Sequence, residues 1–243
     1  KKILSTVGSR MIRLQLELGG KDGIYVCDDA DLESAVLSIA DGAFYNTGQG
    51  CCSVERIFVH DAIYDSFKAK LVQEVKSFKM GDPIQEDTYI GPLTRPQQLQ
   101  FLKDQVDDAV AHGCKILCGG EIHGNYFTPT IVECTTRTTR VLTEESFGPI
   151  VALQRVFDDQ DATAKLNDSI YGLTAGVYSK SQDRAMNILS EVQVGSAYWN
   201  CCDRVSPYLP WTGRKASGIG VTLGDDGIRA FTQAKAWHLK ESI

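Results

Sequence analysis

Between Leu32 and Phe44 the apolar residues recur at a helical period, and the segment stands between two strand-like runs. No other feature of the 243-residue chain constrains its fold as strongly. Leu32, Ala35, Val36, Ile39, Ala40, Ala43 and Phe44 line one stripe of a 3.6-residue helix. Residues 24–27 before it and 56–60 after it are short and rich in Ile, Val, Tyr and Phe. From Gly23 onward such strands and helices alternate, which predicts an α/β fold with a mostly parallel sheet flanked by helices.

The remaining elements follow in order. Residues 3–12 read as a helix without a cap, and Leu14–Leu18 alternates as a strand. Ile63, Phe67, Leu71 and Val75 form the ridge of a second long helix. A third helix starts near Pro96, a suitable first-turn residue, and stops at Gly113. Strands are expected at 115–118, 126–133, 150–157, 174–178 and 195–199. Helices are expected at 159–168 and 182–192, the latter capped by Ser181, with Ala185, Met186, Ile188, Leu189 and Val192 as its core stripe. A loop rich in Pro and Gly spans 201–220, long enough to suggest a function. The tail at 234–239 alternates weakly, like an edge strand seeking a partner.

Two stretches carry chemistry. Phe44-Tyr-Asn-Thr-Gly-Gln-Gly-Cys-Cys-Ser53 places two cysteines on a tight turn between a packed helix and a strand, where a side chain can be aimed at a ligand. A cysteine there is either a small buried hydrophobe or a thiolate nucleophile. Leu16-Glu17-Leu18-Gly19-Gly20-Lys21 sets an acid among leucines, ahead of two glycines that permit close approach. Burial among leucines is costly for an ionised carboxylate and suits Glu17 to proton uptake as a general base. The alternative is a structural carboxylate that caps nearby amides.

These residues resemble the aldehyde dehydrogenase superfamily. Glu-Leu-Gly-Gly-Lys at 17–21 is similar to its general-base signature, and Phe-x-Asn-x-Gly-Gln-x-Cys at 44–51 to its nucleophile signature. Glu144-Glu-Ser-Phe-Gly-Pro149, the run 167–176, Gly195-x4-Asn200 and Gly213-Arg-Lys-Ala-Ser-Gly218 follow in family order, so the resemblance covers nearly the whole chain.

The resemblance implies an aldehyde dehydrogenase-like catalytic domain that oxidises an aldehyde to a carboxylic acid with NAD or NADP. Cys51 is implied as nucleophile and Glu17 as the base that activates water for thioester hydrolysis. Glu145 and Phe147 are implied to hold the nicotinamide ribose, with Leu18 and Gly19 beside the nicotinamide. Without the resemblance, Glu144-Glu145 reads as a solvated acidic turn. By offset from Asn200, Tyr208 and Trp211 fall where the family lines its aldehyde tunnel. Arg204 lies in the same loop, to pair with a substrate carboxylate or with Asp203.

Residues 1–18 resemble the end of a dinucleotide-binding domain, 19–224 the catalytic domain, and 225–243 a C-terminal helix with a bridging strand that implies a dimer or tetramer. Most of the family's cofactor domain, with its phosphate-binding loop and oxyanion asparagine, is not matched by this chain. A catalytically incompetent fragment or relative, and a cysteine-dependent esterase, are the rival functions.

Composition narrows the partners. The 25 basic residues against 31 acidic give a net charge of −6, with the basic residues scattered, which argues against nucleic acid and anionic membranes. No apolar run approaches a membrane span and no signal peptide opens the chain, so a cytoplasmic protein is expected. Eight cysteines without paired Cys-x2-Cys spacing, and four dispersed histidines, predict reduced thiols and no metal site. Cys52, next to the expected nucleophile, reads as a packing residue with redox control of Cys51 as the alternative.

Overall fold

The computed structural model describes residues 2–136, 138–202 and 204–241. Its centre is a seven-stranded sheet. Starting from one edge, the strands are Ser196–Trp199, Thr174–Tyr178, Asp22–Val26, Val54–His60, Ile150–Val156, Thr130–Glu133 and Lys115–Cys118. Every neighbouring pair is parallel except the last, in which Lys115–Cys118 runs antiparallel to Thr130–Glu133. Helices cover both faces, so the central strands are buried along most of their length and not on alternate residues. All five residues of Asp22–Val26 are buried.

Alternate residues of these strands feed two cores. Ile24, Val26, Ile57 and Val59 pack with the helices Leu32–Phe44 and Tyr64–Ser77. Tyr25, Cys27 and Phe58 pack on the opposite face, with Asp159–Asn167 and Gln182–Glu191. The stripe expected on Leu32–Phe44 is buried from Ala35 to Phe44, and Leu32 is packed at its margin. Asp31 caps that helix, its carboxylate accepting the Ser34 N–H at 2.9 Å. Ser181 accepts the Arg184 N–H at the start of Gln182–Glu191, as its sequence position predicts.

Several expectations are corrected. The first helix covers only Lys2–Val7, and the strand at 14–18 shrinks to Leu16–Glu17, paired antiparallel with Gly218–Ile219. With no broad sheet beside them, most of residues 8–15 stay exposed. Pro129, which lacks an N–H, divides the run 126–133 into Tyr126–Phe127 and Thr130–Glu133. Met186 is 57% exposed, because Ala185, Ile188 and Leu189 already define the buried face of its helix. Residues 234–239 pair with no strand among the described residues and are exposed, as an edge strand without a partner would be.

The long loop is less bare than it reads. Arg214–Lys215 pairs with Tyr171–Gly172, and Gly218–Ile219 pairs with Leu16–Glu17. These two short ladders bring the 213–218 and 167–176 motifs to the side of the sheet on which Asp22–Val26 and Val54–His60 begin.

Candidate active site

Cys51 and Glu17 both lie just upstream of strands, at the edge where the two central strands start. The turn holding Cys51 is built from left-handed backbone: Asn46 (φ 51°), Thr47 (φ 59°) and Gly48 (φ 66°) end the preceding helix. The Asn46 amide donates to the Gln49 carbonyl at 3.0 Å, and the Gly91 N–H donates to the Thr47 hydroxyl at 3.0 Å. Cys51 emerges exposed, whereas Cys52 is buried against Leu173 and Trp211.

The Cys51 thiol is lowered to about 7. A hydrogen bond from the Cys52 thiol is the main cause and the Cys51 backbone N–H adds to it. Partial burial and the carboxylates of Glu17 and Glu145 oppose the shift. Cys52 thus keeps its packing role against Leu173 and Trp211 and also lies where its thiol can donate to the Cys51 sulfur. The buried Cys27 shows the usual behaviour of a core cysteine, pushed up to about 12 by desolvation.

Glu17 departs from expectation in one respect. It is exposed, because its two-residue strand lies outside the main sheet and Leu18 beside it is 42% exposed. The leucines on either side of it therefore do not enclose its carboxylate. Its carboxylate accepts the Thr222 hydroxyl. Thr222 is itself fixed by backbone pairing with Trp211, with N–H to carbonyl distances of 2.6 and 2.8 Å. No local pattern in the sequence links Thr222 to a residue so far upstream.

Gly19 and Gly20 bring the third motif in. A Cβ on Gly20 would stand 2.6 Å from the Cys51 carbonyl oxygen, and one on Gly19 would collide with the Glu145 carboxylate. The Gly20 N–H donates to that carboxylate at 2.9 Å. Burial holds Glu145 above the ordinary carboxylate range, and the Gly20 bond opposes the shift. Phe147 adopts φ 49° and is 40% exposed. Glu145 and Phe147 line one cavity of about 570 Å³ with Asn46, Gln49, Arg95 and Gln98. An acceptor for hydroxyls, an exposed ring and a Cβ-free turn fit the nicotinamide riboside portion of a dinucleotide.

The substrate-loop residues separate. Trp211 is buried beside Cys52, while Tyr208 is 88% exposed. Arg204 is exposed near Cys201, and its alternative partner Asp203 lies outside the described residues. Asn200 bonds through its side chain to the Ser179 backbone and so has a structural part. Ser217 accepts the Gly172 N–H, and its carbonyl accepts the Leu18 N–H, tying the base segment down. No cluster of metal-ligating side chains occurs among the described residues.

The chain is a mostly parallel α/β protein with an exposed cysteine and an exposed carboxylate near the starts of its central strands. The family model "Aldehyde dehydrogenase family" matches residues 1–237, and the chain belongs to that family. It is 37% identical over 237 residues to human aldehyde dehydrogenase 1A1, covering 96% of this chain and 47% of the relative. Lactaldehyde dehydrogenase from Escherichia coli superposes with a TM-score of 0.95 at 32% identity, covering 99% and 51% of the two chains. The NADP-dependent glyceraldehyde-3-phosphate dehydrogenase of Bacillus halodurans, solved with NADP, gives 0.88 at 36% identity, covering 94% and 49%. The chain thus spans about half the length of the curated relatives it matches.

Proposed function

We propose that this chain supplies the catalytic centre for NAD(P)-dependent oxidation of an aldehyde to a carboxylic acid, joined to the remaining half of the family fold. Residues 19–224 form the catalytic unit in this reading, and 225–243 the part that meets a second copy in a homo-oligomer. The observation that carries it is Cys51 held exposed on its left-handed turn, with a thiol lowered from the ordinary cysteine value toward the thiolate.

The Cys51 sulfur adds to the aldehyde carbon and the carbonyl electrons move to oxygen, giving a thiohemiacetal. The Cys51 backbone N–H is one donor suited to that oxyanion. When bound, a nicotinamide dinucleotide would supply the two-electron acceptor for the hydride of this adduct, which would leave a thioester on Cys51. Glu145 would accept from the ribose hydroxyls, Phe147 would flank the nicotinamide, and the Leu18–Gly19 turn would let it approach. Glu17 then takes a proton from water, whose oxygen attacks the thioester. The S–C bond breaks, the acid leaves and the thiolate returns. General-base assistance of this kind is worth ~10²–10⁴-fold.

Two features support Glu17 in this role: its carboxylate is steered by Thr222, and it is close enough to Cys51 to oppose thiolate formation. Reduction of NAD and of NADP by a panel of small aldehydes, in a protein carrying the whole fold, tests the proposal. Aldehyde-dependent reduction that vanishes in Cys51→Ser is expected. Cleavage of activated esters without any dinucleotide reduction would overturn it.

A further inference from the structure

Lys21 and Glu55 take no part in the chemistry above, yet they form the most deeply buried ion pair among the described residues. Their side chains are 0% and 4% exposed, and Lys21 Nζ lies 2.5 Å from Glu55 Oε2. Lys21 also donates to the Ser146 hydroxyl at 3.0 Å. The Glu55 carboxylate accepts the Ser146 N–H at 2.9 and 3.0 Å to its two oxygens, and the Phe147 N–H at 3.0 Å. Gln98 donates to the Ser146 carbonyl from the other side.

Side chains from three distant segments therefore grip one turn. That turn contains Phe147 at φ 49°, a conformation uncommon for a bulky residue and kept only where the surroundings impose it. Glu55 is the group that imposes it, by accepting successive N–H groups. Burial pushes the Lys21 ammonium down, and Glu55 opposes that shift. A buried pair of this kind adds little net stability over an apolar replacement, so its consequence is geometric.

We propose that Lys21 and Glu55 are a positioning pair that sets the Glu145–Phe147 turn, so that carboxylate and ring are presented together to the nicotinamide riboside of a dinucleotide. Neither residue of the pair lines the cavity, so the pair would act on a ligand only through the turn. Lys21 follows the Gly19-Gly20 turn directly and Glu55 follows the Cys51 turn, so the same pair also fixes the clamp relative to the nucleophile. This inference rests on the proposed dinucleotide site.

The test is equilibrium titration with NAD and NADP in a protein carrying the whole fold. The iodoacetamide reactivity of Cys51 and the thermal midpoint are recorded alongside. Lys21→Met with Glu55→Gln removes both charges and should weaken dinucleotide binding by roughly 10-fold or more while Cys51 still reacts. Glu55→Asp keeps the charge but withdraws the acceptor. It should weaken binding several-fold, which keeps the test decisive if the double variant does not fold.

In a Glu145→Gln, Phe147→Ala background, loss of the pair should change affinity by less than about twofold, because its route to the ligand is gone. A lower thermal midpoint with unchanged dinucleotide affinity would make the pair merely structural and overturn the proposal. An undiminished effect in that background would overturn it too. If that background itself binds dinucleotide like the parent, the dinucleotide site is wrong and the positioning role falls with it.

Discussion

Gly20 lies so close to the Cys51 carbonyl that a Cβ on Gly20 would stand 2.6 Å from its oxygen. The obstacle is backbone on one side and the buried Asp22 carboxylate, 2.8 Å away, on the other. Neither can swing aside. Gly20→Ala should therefore push the nucleophile turn outward, at a stability cost of about 1–3 kcal/mol. Chemical denaturation measures the cost, and turnover should fall together with it. Wild-type stability and turnover would mean that the turn adapts.

The thiolate depends on Cys52. Cys52→Ala removes the hydrogen bond that does most to hold Cys51 at about 7, so the midpoint of its alkylation profile should move to higher pH. Cys52→Ser keeps a donor and should move it less. The sign is fixed: a thiol held low by a donor titrates higher without it. Iodoacetamide rates against pH in the two variants check this. An unmoved midpoint in Cys52→Ala would remove Cys52 from the account.

Thr222 steers the expected base. Thr222→Val is nearly isosteric but cannot donate to Glu17, so deacylation should slow by a modest factor, on the order of 10 at most. Aldehyde-dependent reduction of the first dinucleotide equivalent should be unaffected. Rapid mixing separates these phases, and a defect confined to the first would place Thr222 elsewhere in the mechanism.

Much of this layout is legible along the chain because helix and strand periods are local. Leu32–Phe44 is read to its own ends from one apolar stripe. Local pattern fails where the deciding contact is remote. Glu17 reads as buried because leucines flank it, but its strand pairs only with Gly218–Ile219 and leaves it exposed. Met186 reads as core because it sits among apolar neighbours, yet the helix turns it outward. Lys21 and Glu55 each look like ordinary surface charges in the sequence. Only the parallel register of Asp22–Val26 with Val54–His60 brings them together.

The 243-residue chain by itself should hold a dinucleotide poorly. Its cavity offers Glu145 and Phe147 to the nicotinamide half, whereas tight dinucleotide binding depends on phosphates seated at a helix N-terminus. Exposed Met11, Phe231, Trp237 and Leu239 should also favour association of the isolated chain. Calorimetric titration with NAD and NADP, with sedimentation of the same sample, checks both. Micromolar binding by this chain alone would point to a phosphate site elsewhere on it.

The central claim is that Cys51 carries the acyl group and Glu17 is needed to release it. Glu17→Gln, in a protein carrying the whole fold, is mixed with an aldehyde and a dinucleotide and quenched in acid. Peptide mass mapping then locates the adduct. An acyl mass on the Cys51 sulfur, formed with one dinucleotide reduced per site and lost slowly, is the predicted result. Acylation of Cys52 in place of Cys51, or unchanged steady-state turnover without any accumulated adduct, would contradict it.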